Sequence, residues 1–252
     1  MPAMRIVVSL TTLPERWHLL VRTLESIQRQ TQPPAAIYLW LPRERFGEEV
    51  PQDYCFSGVD VRLSADLGPA MKLLPVLDIE TDPETRIVTI DDDVEYPPGL
   101  IARLAELSNL YPDHALGFTG WVLDQPTAPT GVIHLNTSTM GSARFQPVHV
   151  LEGYRGVLYK RCFFDRAIWD HLNALSAFRW HDDILLSGYL GSRGIERLVC
   201  RYNPDPLQEA YHWKLNGDDI GLHTTTDWLE QGRSCVAYWL ARDPCLFAPI
   251  IP

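Results

Sequence analysis

The sequence predicts an α/β protein: a mostly parallel sheet flanked by helices. Three observations carry this expectation. Short apolar runs alternate with segments of helical spacing through the first half of the chain. The first run, "RIVVSL", is the β-branched kind of strand that is buried on both faces. No internal repeat, low-complexity tract or convincing linker divides the 252 residues, which reads as one domain over 1–252 with halves of about 1–96 and 97–252.

"RIVVSL" (5–10) is the first expected strand. Pro14 suits a first helical turn, and Leu19, Leu20, Leu24 and Ile27 follow at helical spacing to about Gln30. "AIYLWL" (36–41) and "DVRLSA" (60–65) are the next strands, "GPAMKLLPVL" (68–77) begins a short helix, and "RIVTI" (86–90) is a fourth strand. The second half changes character. "HALGFTGWVL" (114–123) reads as one strand, followed by a Thr-, Pro-, Gly- and Ser-rich loop from about 124 to 148. "VHVLEGYRGVLYKRCFFD" (148–165) is a strand turning at Gly153 and Gly156. "HDDILLSGYLGSRGI" (181–195) is a helix with Gly194 near its end, and "RLVCRY" (197–202) is a strand. "DDIGLHTTTDWLEQG" (218–232) is a last helix with Asp218 as its cap.

A net charge of −10 argues against a nucleic-acid or anionic-membrane partner. Five widely spaced cysteines without a CxxC pair suggest reduced thiols rather than a disulfide framework or a zinc site. The apolar stretch at the N-terminus is too short for a signal peptide, and no segment approaches the roughly 20 apolar residues of a membrane span. The expectation is a soluble, cytoplasmic protein, with at most peripheral membrane association through a partner.

"RIVTIDDDVEYPPG" (86–99) places three consecutive aspartates at the end of a strand. In an extended segment Asp91 and Asp93 point the same way and Asp92 the opposite way. Open α/β sheets bind ligands at this carboxyl edge. Hard carboxylate oxygens there suit Mg²⁺ or Mn²⁺, which completes its shell with water and phosphates. Turn and helix capping by the same aspartates is the alternative.

Five pieces in order, "SLTTLPERWHLLVRTLESIQRQTQPP", "DLGPAMKLLPVL", "IVTIDDDVEYPPGLI", "LEGYRGVLYKRCFFD" and "HDDILLSGYLGSRGI", resemble glycosyltransferases of the GT-A fold, close to the family 2-like enzymes. The resemblance covers most of residues 5 to 195. It implies a Rossmann-like, mixed but mostly parallel sheet and a UDP-sugar donor held by the first half, with acceptor binding and catalysis in the second. It places Ser9, Thr11 and Thr12 at the base and ribose, with Arg16 in reach of the nucleotide and Asp66 at the base. Asp66 also reads as a turn-initiating residue before Gly68-Pro69. Lys72 is the only lysine before residue 160. Near a diphosphate its ammonium would offset phosphate charge and orient the aspartates; a solvated helix lysine is the alternative. The implied metal ligands are Asp93 directly and Asp91 through ribose or metal-bound water, with Asp92 beside them at the cofactor site. A C-terminal histidine, His212 or His223, would complete the shell.

Sugar transfer with inversion needs a base for the acceptor hydroxyl. Asp182 and Asp183, at the start of an expected helix, match the family's acidic pair, whose second member is the base. Asp182 is expected to cap the helix or bind acceptor, and the helix N-terminus should lower the pKa of Asp183. His181 is the other candidate base. Gly153 and Tyr154 would lie beneath the acceptor, with Trp121 and Trp180 as sugar platforms. The chain lacks the QxxRW segment of processive members, which favours transfer of one sugar to a glycan or lipid-linked acceptor. Competing readings are a nucleotidyltransferase, disfavoured because "SLTTLPERW" has no glycine for a phosphate loop, and an inactive carbohydrate-binding protein of the same fold.

Overall fold

A computed structural model describes residues 4–125, 131–136, 139–203, 214–215 and 227–247. In the first half β1 (Ile6–Thr11), α1 (Trp17–Gln28), β2 (Ala36–Pro42), α2 (Arg43–Phe46) and β3 (Asp60–Ser64) alternate. They are followed by α3 (Val76–Ile79), β4 (Arg86–Thr89), β5 (Val94–Glu95) and α4 (Leu100–Leu110). The second half contains β6 (Ala115–Gly117), β7 (Thr119–Leu123), β8 (Val132–Asn136), β9 (Phe145–Pro147), β10 (Val150–Leu151) and β11 (Val157–Lys160). Then come α5 (Ala167–Ala174), α6 (Asp182–Ser192), β12 (Arg197–Cys200), β13 (Lys214–Leu215) and α7 (Trp228–Leu240).

Eight strands form one sheet in the order β3-β2-β1-β4-β11-β6-β12-β9. Strands β3, β2, β1 and β4 are mutually parallel, β11 runs antiparallel between β4 and β6, and β12 is parallel to β6. The expected fold class, a mixed and mostly parallel sheet flanked by helices, is the one observed. Period-2 alternation splits the strands between two cores. Ile6, Val8, Leu10, Val88 and Leu158 pack with Leu20, Leu24 and Ile27 of α1 and Leu100, Ile101 and Leu104 of α4. Val7, Ile87, Val157 and Tyr159 face the other layer, which includes Ile168 of α5, Leu185 and Tyr189 of α6 and Trp239 of α7. The central strands are therefore covered on both faces, which is why β1, β2 and β4 read as apolar runs.

The chain leaves β1 towards β2 and β3, then returns to the opposite side of β1 with β4. The connections diverge at the carboxyl ends of β1 and β4, a crevice where open α/β sheets take ligands. The aspartate run begins there.

Several local expectations need correction. The stretch 114–123 is two strands rather than one: β6 stays in the large sheet, while β7 joins β10 and β8 in a small antiparallel one. Gly120 permits that departure, because a Cβ there would lie 2.4 Å from the Val150 carbonyl oxygen. The expected turning strand at 148–165 is likewise divided between the two sheets by a 3-10 turn, Gly153–Arg155, and Gly156 at φ +87°. Two strands, β8 and β9, lie inside the expected loop 124–148. The last helix runs to Leu240, and Asp218 lies outside the described residues. No helix among the described residues is long and apolar enough to cross a membrane.

One close backbone contact joins the two halves. Gly68 has φ +64°, and a Cβ there would fall 1.9 Å from the Arg179 carbonyl oxygen. Gly194 has φ +70° with nothing within 4 Å of its Cβ position. Backbone strain alone costs about 1–3 kcal/mol at such positions. Urea denaturation should therefore show Gly194→Ala at the low end of that range, and Gly68→Ala clearly more destabilised. Equal losses would mean that the Gly68–Arg179 approach is looser than described.

Candidate active site

The aspartate run does not continue the strand. Asp92 and Asp93 form a turn after β4, so the extended i, i+2 relation does not apply and each carboxylate meets a different partner. Asp91 Oδ1 accepts from Lys72 Nζ at 2.9 Å. Asp93 Oδ2 pairs with Arg16 Nη2 at 2.7 Å. Asp92 turns inward, accepting from Thr12 Oγ1 at 2.5 Å and from Arg16 Nε at 2.8 and 3.0 Å. Burial pushes the Asp92 carboxyl up to about 6, with Arg16 and Thr12 opposing the rise. Asp92 is thus a buried anchor for the turn and not a group facing a nucleotide.

The hydroxyl cluster ending β1 is also committed to the protein. Ser9 is fully buried and accepts from Trp40 Nε1 at 3.0 Å, while Thr11 donates to the Trp40 carbonyl at 2.8 Å. With Thr12 on Asp92, only Thr11 keeps partial exposure at the edge. Asp66 Oδ1 accepts from the Gly68 amide at 2.8 Å, which is the turn-initiating role.

Lys72 is the centre of the site. It is 4% exposed, at the end of the 3-10 turn Gly68–Lys72, so the reading as a solvated helix lysine fails. Besides Asp91, it pairs with Asp182 Oδ2 at 3.0 Å. Burial works against its charge, but Asp182, Asp91 and Asp183 together hold its pKa well above the ordinary lysine value. The ammonium is enclosed by carboxylates rather than presented to a diphosphate.

The acid pair opens α6. The residue capping this helix is His181, whose side chain makes no capping hydrogen bond, and Asp182 is spent on Lys72 instead of the helix end. Asp183 accepts from the Gly153 amide at 3.2 and 3.3 Å. The residue as a whole is half-buried, and its carboxyl is crowded enough that burial is the largest influence on it. Burial and the neighbouring Asp182 push its carboxyl well above the usual range, with Lys72 opposing. The expected lowering by the helix N-terminus is overturned, because desolvation outweighs the dipole. Gly153 is required here: a Cβ would lie 2.6 Å from Lys72 Nζ and 3.2 Å from Asp183 Oδ1.

The aromatic candidates separate. Trp121 is buried in the core opposite Val150 and His134 and cannot serve as a sugar platform. Trp180 is 49% exposed beside the acid pair, and Tyr154 is half-buried with the Arg155 guanidinium 5.4 Å above its ring. His181 is buried against the Trp228 ring at 3.9 Å between centroids, and burial lowers its pKa. It is therefore no exposed acceptor contact. His212 and His223 lie outside the described residues. Among the described residues, no group of three or more His, Cys, Asp or Glu could hold a metal ion.

Two residues escaped the sequence reading. Tyr96 bonds the Asp91 amide, and Glu152 accepts from Thr119 Oγ1 at 2.8 Å and lies 3.4 Å from His134 Nδ1. Glu152 also adds negative charge near Asp183. Their only signal was adjacency, to "DDDV" and to "GYRG".

No family model and no curated protein matches the chain. Among solved structures, it resembles the crystal structure of 4-diphosphocytidyl-2C-methyl-D-erythritol synthase with 11% identity and a TM-score of 0.48, over 92% of this chain and 99% of that one. A likeness at this level assigns no activity.

Removing one partner of a buried ion pair costs about 3–5 kcal/mol. Lys72→Met should lose about that much in urea denaturation at pH 7.5, since Asp91, Asp182 and Asp183 are left facing one another. Adding Asp182→Asn should restore part of it. Additive losses in the double variant would contradict the shared ion-pair network.

Proposed function

We propose that the protein is a metal-dependent glycosyltransferase. It moves one sugar from a nucleotide-sugar donor, a UDP-sugar, to a hydroxyl of a glycan or lipid-linked acceptor, with inversion. The observation that carries this reading is the convergence of two acidic groups, Asp91–Asp93 and Asp182–Asp183, on either side of Lys72 at the ligand-binding edge of the sheet.

The donor set suits Mg²⁺ or Mn²⁺. Asp91 and Asp93 are partly exposed, and each engages one oxygen with a protein cation, which leaves the other without a hydrogen bond among the described residues. Hard cations of this size bind through one or two carboxylates plus water and phosphate, so two such oxygens are a sufficient protein contribution. Asp93 and Asp91 would hold the ion, whose chemistry is to neutralise charge on the leaving diphosphate. Arg16 and Lys72 fix the two carboxylates from behind.

The base is Asp183. A base works best when its pKa lies near the working pH, and burial with Asp182 alongside raises that of Asp183 in this direction. Partial exposure leaves it open to an acceptor, while Gly153 holds it in place. Asp182 lacks that freedom because it is buried on Lys72. Trp180, exposed beside the pair, is the remaining aromatic platform for a sugar ring.

Release of nucleoside diphosphate across a panel of nucleotide sugars tests the reaction. Pyrophosphate release from a nucleoside triphosphate and a sugar phosphate would instead mark a nucleotidyltransferase. Asp183→Asn should lower turnover by about 10²–10⁴-fold, with UDP affinity nearly unchanged. Because the base must be ionised, wild-type turnover should rise as pH climbs through the raised pKa of Asp183 and fall on the acid side. A product with the donor's anomeric configuration, read by NMR, rules out single displacement with Asp183 as base.

Metal dependence has its own check. Chelation by EDTA should abolish transfer and Mn²⁺ should restore it, whereas Asp93→Ala should lose Mn²⁺-dependent UDP binding in calorimetry without unfolding. Full transfer by the chelated protein removes the metal from the reading.

A further inference from the structure

Tyr96 takes no part in the chemistry described above, yet its hydroxyl sits between backbone groups from both halves of the fold. The side chain is 4% exposed. Its oxygen accepts from the Asp91 amide at 2.9 Å and donates to the Tyr154 carbonyl at 2.9 Å. The Tyr96 amide donates in turn to Ser26 Oγ on α1 at 3.0 Å, which anchors the residue to the helix beneath the sheet edge. Tyr154 belongs to the same 3-10 turn as Gly153, whose amide holds the Asp183 carboxylate. A continuous path thus runs from the Asp91 amide through the Tyr96 hydroxyl and the Gly153–Arg155 turn to Asp183. Phenylalanine would fill the same space but could make neither bond.

We infer that Tyr96 is a positioning residue that sets the distance between the donor-side aspartate turn and the base. The inference rests on the glycosyl-transfer reading for its effect on turnover, and on geometry alone for its effect on the site. A tyrosine hydroxyl is protonated at neutral pH, so it keeps donating to the Tyr154 carbonyl. Lys72 bridges the same two halves by charge, through ion pairs to the Asp91 and Asp182 side chains rather than through the main chain. Tyr96 supplies what charge cannot: a directed bond to the main chain on each side.

Tyr96→Phe removes one oxygen atom and is the direct test. By amide hydrogen exchange, Asp91 and Gly153 should exchange about tenfold faster or more, whereas Leu39 in β2 should be unaffected. Turnover per folded molecule should fall about tenfold with the donor KM within about twofold, since a misplaced base slows the chemical step without weakening donor binding. If Tyr96→Phe does not fold, 3-fluorotyrosine at Tyr96 keeps the shape and weakens the hydroxyl as acceptor, and the same two amides are read. Wild-type exchange at Gly153 would overturn the inference, because the tie would then not reach the base. So would unchanged turnover, or a fall in turnover matched by a smaller folded fraction. Should the wild-type protein transfer no sugar at all, exchange at Gly153 still decides the role of Tyr96, and only the reading of the reaction falls.

Discussion

The site depends on one enclosed ammonium. Lys72 lies under the carboxyl edge of the sheet with almost no access to water, and a bare charge there would be strongly unfavourable. It is stable only because Asp91 arrives from the end of β4 and Asp182 from the start of α6. Each of those carboxylates would be costly to bury without Lys72, so the three residues fix one another and, with them, two distant segments of chain. Gly153 follows from the same constraint, since any side chain there would occupy the space of the ammonium.

Arg16 solves the corresponding problem on the other side of β1. Three consecutive aspartates repel one another, and the turn relieves this by sending them to separate partners: Asp91 to Lys72, Asp92 to Thr12 and Arg16, Asp93 to Arg16. Planar Arg16 can serve two carboxylates at once, which a lysine in its place could not do with the same geometry. The hydroxyls of "SLTT" belong to this scaffold as well. Ser9 accepts from the Trp40 indole on the adjacent strand, Thr11 donates to the Trp40 carbonyl, and Thr12 holds Asp92, so a cluster that resembles a nucleotide contact is largely the joint between β1 and its neighbours.

The sequence revealed what depends on local pattern. Strands β1, β2 and β4 were legible because both faces of the sheet are covered there, and edge strand β3 because its polar and apolar residues alternate; the start of α6 was legible from its acid pair ahead of an apolar run. What depends on pairing between distant segments was hidden. Nothing in "HALGFTGWVL" says that the chain changes sheets near Phe118; only the approach of Val150 to Gly120 does. Strands β8 and β9 lie at sheet edges where side chains meet solvent, and their short runs lack clear alternation. The site residues show the same division. Their identities were readable, but their directions were not, because the i, i+2 rule holds for extended backbone and Asp92 and Asp93 are in a turn. The sign of the shift at Asp183 was missed since a sequence shows a helix N-terminus but not the depth at which it is buried.

That last error bears on how two adjacent aspartates can differ. Asp182 and Asp183 share a helix turn and a dipole, so local structure treats them alike. Their environments do not. Asp182 is closed off and fixed on Lys72, while Asp183 retains an opening and holds only a backbone amide. The charge on Asp182 is one of the forces that raises the pKa of its neighbour. A pair of acids placed in such unequal surroundings divides into a fixed charge and a proton acceptor, and that division comes from the packing of α6 against Lys72 and Gly153. The fold thus turns a repeated residue into two chemically distinct groups, using the same ammonium that holds the halves of the site together.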